Sequence, residues 1–199
     1  RDLKPSNIMV TPEGRPKLLD FGIAKNVEAF GGVEQTTHWI TPAYASPEQV
    51  AGGTVSTLSD VYALGVLLCE LLSGSRPYVT TTGSPAERSR LISETIPRRP
   101  SDLALGSEGE TSRPGSAPGT GSVAENRRTT HQRRARTLRG DLDLIVLKAL
   151  AKEPDRRYDS AQALAEDLQR DLGGQPIMAR PESTRYRVGK FVRRHRTGV

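Results

Sequence analysis

The chain has 199 residues, enough for one domain with a sizeable core, but only 35% of them are hydrophobic and the mean hydropathy is −0.52. The composition therefore indicates that part of the chain is not packed. No apolar run approaches the roughly 18 residues that a membrane-spanning helix requires. The best candidate, residues 61–72, carries Glu70 and is better interpreted as a core helix.

The net charge of +6 is concentrated in two short segments. Residues 126–140 hold six Arg, and residues 185–199 hold five Arg and Lys190, with no acid in either segment. The rest of the chain has 17 basic and 23 acidic residues, so the folded body is predicted to be acidic. A nucleic-acid partner is therefore not expected. Cys69 is the sole cysteine, which excludes an internal disulfide and a cysteine-based metal site.

The first predicted element is a β-hairpin. Apolar runs at residues 7–10 and 17–19 flank the turn-forming stretch TPEGRP. Residues 23–44 show no sustained periodicity and are predicted to form a long loop. Ser46-Pro47-Glu48 then predicts a short helix that reaches Val50.

Four longer helices are predicted from capping residues and apolar periodicity. They cover residues 60–72, 85–94, 141–152 and 161–172, with caps at Ser59-Asp60, Ser84 and Ser160 and with glycines after the first and last helices. The first of them is apolar on nearly every side and is predicted to be buried all round. Residues 97–137 are rich in Pro, Gly, Ser, Thr and Arg, and they are predicted to be a disordered insertion. Residues 173–199 are predicted to form a basic tail.

The first seven residues, RDLKPSN, carry the strongest functional signal. Asp2, Lys4 and Asn7 have the spacing of a phosphoryl-transfer loop, and Asp20-Phe21-Gly22 begins thirteen residues after Asn7. Phosphoryl transfer requires an aligned hydroxyl, metal ions across the phosphates and neutralisation of charge. Asp2 would face the attacking hydroxyl, and Lys4 would neutralise the transferred group. Asn7 and Asp20 offer the hard oxygen ligands that Mg²⁺ prefers.

The motifs RDLKPSN, DFG and TPAYASPE together resemble the eukaryotic-type protein kinase family, in the family's order and at its spacings. The first motif lacks its usual leading His, and SPE stands where the family usually has APE. The resemblance implies an α+β, protein-kinase-like fold, with a mostly helical C-terminal lobe and short β-hairpins over residues 1–172. The N-terminal lobe is expected to lie before Arg1. The implied cofactors are ATP and Mg²⁺.

The resemblance also assigns roles in specificity and nucleotide binding. Lys4, two residues after Asp2, resembles the lysine of serine/threonine kinases. Thr41 stands where the family contacts Asp2 and Lys4 and helps to admit a Ser or Thr substrate, although Ile40 replaces the usual Gly. Met9 is expected to pack under the adenine, and a place in the core of the hairpin is a compatible alternative.

Three residues are expected to have architectural roles. Glu48 resembles the acid that pairs with a late arginine in the family, and the pattern Pro-x-x-Arg selects Arg157 rather than Arg156 as its partner. Asp60 resembles the buried aspartate that holds the backbone of the catalytic loop. An ordinary helix cap is compatible with that role.

The loop after DFG contains candidate phosphorylation sites. In the family, an arginine at the position of Arg1 often contacts a phosphate on the activation loop, which orders that loop. Thr36 and Thr37 are the candidate acceptors. The alternative is that both are simply polar loop residues.

These features predict a serine/threonine protein kinase of the bacterial, membrane-linked type that acts on protein substrates. The chain alone is expected to be inactive, because it contains no GxGxxG or VAIK-like segment. A non-catalytic kinase-like scaffold and a binding module for anionic surfaces are the alternatives. The tail TRYRVGKFVRRHR suits an anionic membrane surface, with a solvated linker as an equal alternative. The expected location is the cytoplasm, or the cytoplasmic face of the membrane for the full-length protein.

Overall fold

The computed structural model describes most of the chain. It covers residues 3–19, 43–78, 84–106 and 121–180, together with Ser183, Tyr186, Val188, Lys190 and Val192. The described part is mostly helical and contains one two-stranded sheet. This agrees with the predicted α+β class. Nearly all of the loop predicted over residues 23–44 lies outside the described residues.

A 3₁₀ turn and a β-hairpin come first. The turn Pro5–Asn7 leads into β1 (Ile8–Val10), which pairs antiparallel with β2 (Pro16–Leu18). In the connecting turn, the Gly14 N–H donates to the Thr11 carbonyl at 2.9 Å, and Gly14 has a φ of +78°. Glycine is favoured there because other residues adopt a positive φ only with strain. The predicted hairpin is confirmed, to within one residue at each strand end.

Helices make up the rest of the described fold. They are α1 (Pro47–Val50), α2 (Thr57–Ser73), α3 (Pro85–Glu94), α4 (Pro100–Gly106), α5 (Gly121–Leu138), α6 (Asp141–Ala149) and α7 (Ala161–Leu172), with a 3₁₀ turn at Pro154–Arg156. The bounds of α1, α3 and α7 agree with the prediction, whereas α6 ends three residues early. None of the described helices combines the length and the apolar composition that spanning a bilayer would need.

Helix α2 begins earlier than predicted. Its cap is Ser56, which has an extended backbone and whose Oγ accepts a hydrogen bond from the Leu58 N–H at 3.2 Å. The predicted cap at Ser59-Asp60 is therefore wrong, since both residues lie in the first turn of the helix. The helix ends as predicted at Gly74, which has a φ of +81°.

Two clusters of buried apolar side chains lie on either side of α2. The first contains Tyr62, Val66, Cys69, Ile92, Leu103, Val146 and Leu150, and the second contains Val61, Ile145, Ala149, Tyr158, Leu164 and Ile177. Gly65 allows α2 to approach α6 closely, because a Cβ added there would lie 2.9 Å from the Ala149 Cβ. Leu71 is 75% exposed, so the prediction of a helix buried on every side fails at that position.

Helices α4 and α5 occupy much of the segment that was predicted to be disordered. That prediction is wrong for residues 100–106 and 121–137, which are helical, whereas residues 107–120 lie outside the described part. The buried carboxylate of Asp143 accepts hydrogen bonds from the Ser101 N–H at 3.0 Å and the Ser101 hydroxyl at 2.7 Å, at the start of α4. A small apolar cluster then forms between the two helices, with Ala104, Ala135 and Leu138 at its centre.

The segment after α7 packs back onto the helices. Ile177 is buried within the second apolar cluster, and Tyr186 packs against the same cluster. Tyr186, Val188, Lys190 and Val192 have helical backbone. A solvated linker is therefore not an adequate description of the start of the tail.

Candidate active site

Asn7 is the last residue of the opening 3₁₀ turn and sits at the open end of the hairpin. Its N–H donates to the Lys4 carbonyl at 3.0 Å, and its carbonyl accepts a hydrogen bond from the Leu19 N–H at 2.9 Å. Asp20 follows Leu19 in the sequence, and consecutive Cα atoms are about 3.8 Å apart. This hydrogen bond holds Asn7 against the residue that precedes Asp20, and a site that uses both Asn7 and Asp20 requires such a contact.

The donors near this point suit a hard divalent cation. An amide oxygen and a carboxylate are ligands that Mg²⁺ accepts, usually together with substrate phosphates. Within the part of the chain that the structure describes, no group of three or more His, Cys, Asp or Glu side chains could hold a metal ion. The assignment of Asn7 and Asp20 as metal ligands stays a prediction. Met9, on β1, is 56% exposed.

The predicted site residues form three groups, of which two lie within the described residues and one lies outside them. Lys4, Asn7 and Met9 lie on the 3₁₀ turn and hairpin, and Glu48, Asp60 and Arg157 lie around the start of α2. Asp2, Asp20, Thr36, Thr37 and Thr41 lie outside the described residues, as does Arg1. The roles of this last group stay predictions.

Glu48, on α1, and Arg157, after the last 3₁₀ turn, form a buried ion pair with two contacts. The Arg157 Nη1 lies 2.8 Å from Glu48 Oε1, and Nη2 lies 2.7 Å from Oε2. The Arg157 side chain has no solvent exposure. Its remaining donors bond to three backbone carbonyls, those of Leu58, Ala151 and Lys152. Every guanidinium N–H thus has an acceptor, which is the condition under which a buried pair is tolerated.

The environment of Glu48 favours its charged form. Burial alone would raise the pKa of Glu48, but hydrogen bonds from Arg157 and Ser59 outweigh burial and lower this pKa from 4.5 to about 2. The Ser59 hydroxyl donates to Glu48 Oε1 at 2.6 Å. The pair therefore links α1, the first turn of α2 and the segment after α6 through one charged contact.

The lowered pKa of Glu48 predicts a loss of stability in acid. A carboxyl whose pKa is lower in the folded state contributes stability that is complete above its unfolded pKa and is lost as the pH falls toward its folded pKa. For Glu48 this window lies between pKa values of 4.5 and about 2. Urea unfolding at a series of acidic pH values measures it. Glu48→Gln should flatten the curve in that window, and a curve that stays equally steep would contradict this assignment.

Several contacts beside the ion pair have no local signal in the sequence. Lys152 donates to the Tyr78 hydroxyl at 2.5 Å and to the Ile92 carbonyl, and burial lowers the pKa of Lys152 to about 8. The Tyr44 hydroxyl donates to Glu70 Oε2 at 2.6 Å. The hydroxyl contacts join residues that are 74 and 26 positions apart, so no short pattern could have indicated them.

Asp60 lies in the first turn of α2 and is partly buried. The helix is capped by Ser56 instead. The backbone that Asp60 is expected to hold, at Arg1 and Asp2, lies outside the described residues. Its bracing role stays a prediction.

Comparison with protein families identifies the family to which the chain belongs. A model of the protein kinase domain matches residues 1–168, and the chain belongs to that family. The mostly helical structure with its two-stranded sheet is consistent with this match.

Relatives of the chain include several bacterial serine/threonine-protein kinases. The chain is 34% identical over 177 residues to PknB of Mycobacterium leprae and 37% identical over 178 residues to PknB of Mycobacterium tuberculosis. Each alignment covers 88% of this chain and 23% of the relative. A probable serine/threonine-protein kinase of Streptomyces coelicolor is 35% identical over 181 residues, which cover 90% of this chain and 22% of that protein. The chain thus spans less than a quarter of the length of these relatives.

Proposed function

We propose that this chain is the catalytic part of a serine/threonine protein kinase, which transfers the γ-phosphoryl group of ATP to Ser or Thr hydroxyls of proteins. The observation that carries the proposal is the hydrogen bond from the Leu19 N–H to the Asn7 carbonyl at 2.9 Å. It brings the motif RDLKPSN against the residue that precedes DFG, and in protein kinases these two motifs supply the catalytic base and the metal ligands. The named relatives, at 34% and 37% identity, support the same activity.

Four polar residues would divide the chemistry among them. Asp2 orients the substrate hydroxyl and accepts its proton, while Lys4 places a positive charge beside the transferred group. Asn7 and Asp20 hold Mg²⁺ through an amide oxygen and a carboxylate. ATP supplies the phosphoryl group, and Mg²⁺ neutralises its charge. Met9 offers an apolar surface for the adenine.

Replacing Asp2 with asparagine in the gene product that contains this chain should lower the phosphotransfer rate about 100-fold or more, because a positioned general base contributes about 10²–10⁴-fold. Transfer of radiolabelled phosphate from ATP to a generic protein substrate measures this rate. The matched control is Asp155→Asn, which removes an exposed carboxylate from the 3₁₀ turn before α7. Equal rates for the two variants would overturn the proposed function.

Substrate choice and activation would depend on the loop between DFG and α1. We assign the preference for Ser and Thr hydroxyls to Lys4 and Thr41. Thr36 and Thr37 are the proposed acceptors of an activating phosphate, which Arg1 would bind through charge-assisted hydrogen bonds. Phosphopeptide mapping of the active gene product tests this assignment.

The 199-residue chain alone is expected to show negligible phosphotransfer and weak affinity for ATP. It contains no GxGxxG and no VAIK-like segment, the parts that cover and contact the ATP phosphates in protein kinases. Autophosphorylation by this chain, lost in Asp2→Asn, would contradict the expectation. A non-catalytic scaffold, the alternative function, instead predicts that the complete gene product is inactive as well.

We also propose an anionic membrane surface as a second partner, which would place the protein at the cytoplasmic face of a membrane. Residues 185–199 carry five Arg and Lys190 without an acid, and Val188 and Val192 are 55% and 49% exposed. Cations interspersed with apolar side chains bind anionic surfaces. Sedimentation with phosphatidylglycerol vesicles should detect binding that is lost when Arg193, Arg194 and Arg196 are replaced by Gln. Equal sedimentation of that variant would exclude this role for the tail.

A further inference from the structure

The chain after α7 is anchored by a buried carboxylate. Asp167, on α7, has no solvent exposure and accepts hydrogen bonds from the Met178 N–H at 2.5 Å and the Ala179 N–H at 2.8 Å. Ile177 is 4% exposed and lies in the apolar cluster that includes Tyr158. These contacts turn the backbone onto the surface formed by α6 and α7.

Two acidic residues on that surface, Asp141 and Asp171, form ion pairs with basic side chains of the tail. We call these two residues the tail seat. Lys190 Nζ lies 2.7 Å from Asp141 Oδ2 and 3.4 Å from Asp171 Oδ1. The Tyr186 hydroxyl donates to Asp141 Oδ2 at 2.8 Å, and Arg180 Nη1 lies 3.2 Å from Asp141 Oδ1. The Lys190 side chain is only 17% exposed, so its charge is directed at the seat and not at solvent.

The pKa of Asp141 is consistent with a stable contact between this carboxylate and the tail. Burial opposes ionisation of this carboxyl, but the hydrogen bonds from Lys190 and Tyr186 and the charge of Arg180 outweigh burial and lower the pKa of Asp141. The Arg180 guanidinium also lies 4.4 Å from the centre of the Tyr186 ring, which adds a cation–π contact. Arg180 and Lys190 therefore both form ion pairs with the Asp141 carboxylate.

The tail seat borders an open groove that has more cations than acids. The groove has a volume of about 970 Å³ and lies between the end of α5, the start of α6, the end of α7 and the tail. Arg136 and Arg139 line it together with the seat, Arg180 and Lys190. Neither Arg136 nor Arg139 takes part in an ion pair among the described residues. The surface beside the docked tail therefore attracts anions, while the seat retains two cations of the tail itself.

We infer that the tail is an electrostatic switch, in which the tail seat and an anionic membrane compete for Lys190 and Arg180. This inference rests on the membrane surface proposed above as a partner. A lysine ammonium that is held against Asp141 cannot contact lipid headgroups at the same time, so docking on the seat and full membrane binding exclude each other. Because the coupling between the two equilibria is reciprocal, weakening the seat must strengthen membrane binding. The membrane in turn releases the tail from α6.

Asp141→Asn tests the switch, with Asp155→Asn as a control that changes the net charge equally at an exposed site away from the groove. In Asp141→Asn, amide hydrogen exchange at Tyr186 and Lys190 should become about tenfold faster, because their contacts with the Asp141 carboxylate are lost. Affinity for mixed phosphatidylglycerol and phosphatidylcholine vesicles should rise about tenfold, since two cations become available to the surface. Asp155→Asn should leave both quantities within about twofold of the unmodified chain.

Lys190→Gln tests the same ion pair by removing the cation of the tail instead of the acid of the seat. It should accelerate exchange at Tyr186 without raising vesicle affinity, because it opens the seat and also removes a cation from the tail. Equal vesicle affinities for Asp141→Asn and Asp155→Asn would overturn the switch, and so would unchanged exchange in Asp141→Asn. If the unmodified chain does not bind vesicles, the membrane partner fails and the switch fails with it. The kinase activity is judged separately, by Asp2→Asn.

Discussion

Replacing Arg157 with alanine should lower the free energy of unfolding by about 3–5 kcal/mol, the usual effect of removing one partner from a buried ion pair. The substitution removes both contacts to Glu48 and three hydrogen bonds to backbone carbonyls. It leaves the Glu48 carboxylate, whose side chain is 13% exposed, with the Ser59 hydroxyl as a neutral partner. Because the lost contacts join α1, α2 and the segment after α6, we expect the loss in global unfolding and not in local fraying.

The neighbouring arginine provides a matched control for this experiment. Arg156 is 74% exposed and lies 3.9 Å from Glu153, and an exposed pair of this kind contributes about 0–1 kcal/mol. Urea unfolding followed by circular dichroism should therefore separate Arg157→Ala from Arg156→Ala by at least 2 kcal/mol, roughly the difference between buried and exposed pairs. Glu48→Gln should fall between them, since a neutral amide can still accept from Arg157. Similar midpoints for the two arginine variants would show that the pair does not support the fold.

Local signals in the sequence predicted the parts of the fold that depend on neighbouring residues. Ser84 and Ser160 each accept a hydrogen bond from a backbone N–H three positions later, so a short pattern is enough to locate the start of their helices. Gly74 has the positive φ that favours glycine at the end of a helix. The cap of α2 was misplaced because Ser56, Ser59 and Asp60 are all good capping residues, and only the backbone conformation separates them.

Contacts between distant residues were beyond the reach of such patterns. The segment containing α4 was predicted to be disordered because it has few large apolar residues, yet Ser101 bonds to Asp143 across 42 positions. The packed start of the tail likewise depends on Asp141, which meets Tyr186 across 45 positions. Composition records how many apolar residues a segment has, but it does not record a buried acid elsewhere that satisfies the segment's backbone.

The candidate site could be predicted in part, because it combines local motifs with a contact between distant residues. RDLKPSN and DFG are contiguous motifs, so the residue types for phosphoryl transfer were recognisable from sequence alone. Their mutual placement depends on the pairing of β1 with β2, and the bond between Leu19 and Asn7 is the described part of that placement. Ser59, which supports Glu48 through its hydroxyl, was considered only as a cap. A side chain that serves a second residue in this way gives no separate sequence signal.

Asp167→Ala should be the other strongly destabilising change, with an expected loss of about 2–4 kcal/mol in the free energy of unfolding. The buried carboxylate accepts hydrogen bonds from the Tyr158 hydroxyl at 2.8 Å and from the N–H groups of Met178 and Ala179 at 2.5 and 2.8 Å. Each donor left buried without an acceptor is unfavourable by about 1–3 kcal/mol. The two backbone donors can regain water if the tail detaches, which limits the loss in stability and makes detachment the expected response.

Detachment gives this variant a signature that a general loss of packing would not produce. Trypsin should cleave after Lys190 faster in Asp167→Ala than in the unmodified chain, under conditions where the helices remain folded. Glu166→Ala is the matched control, because Glu166 is exposed on the same helix and bonds to Gln162, one turn earlier. If Asp167→Ala lowers stability without accelerating cleavage in the tail, the carboxylate acts through Tyr158, and Ile177 must hold the tail by its apolar contacts.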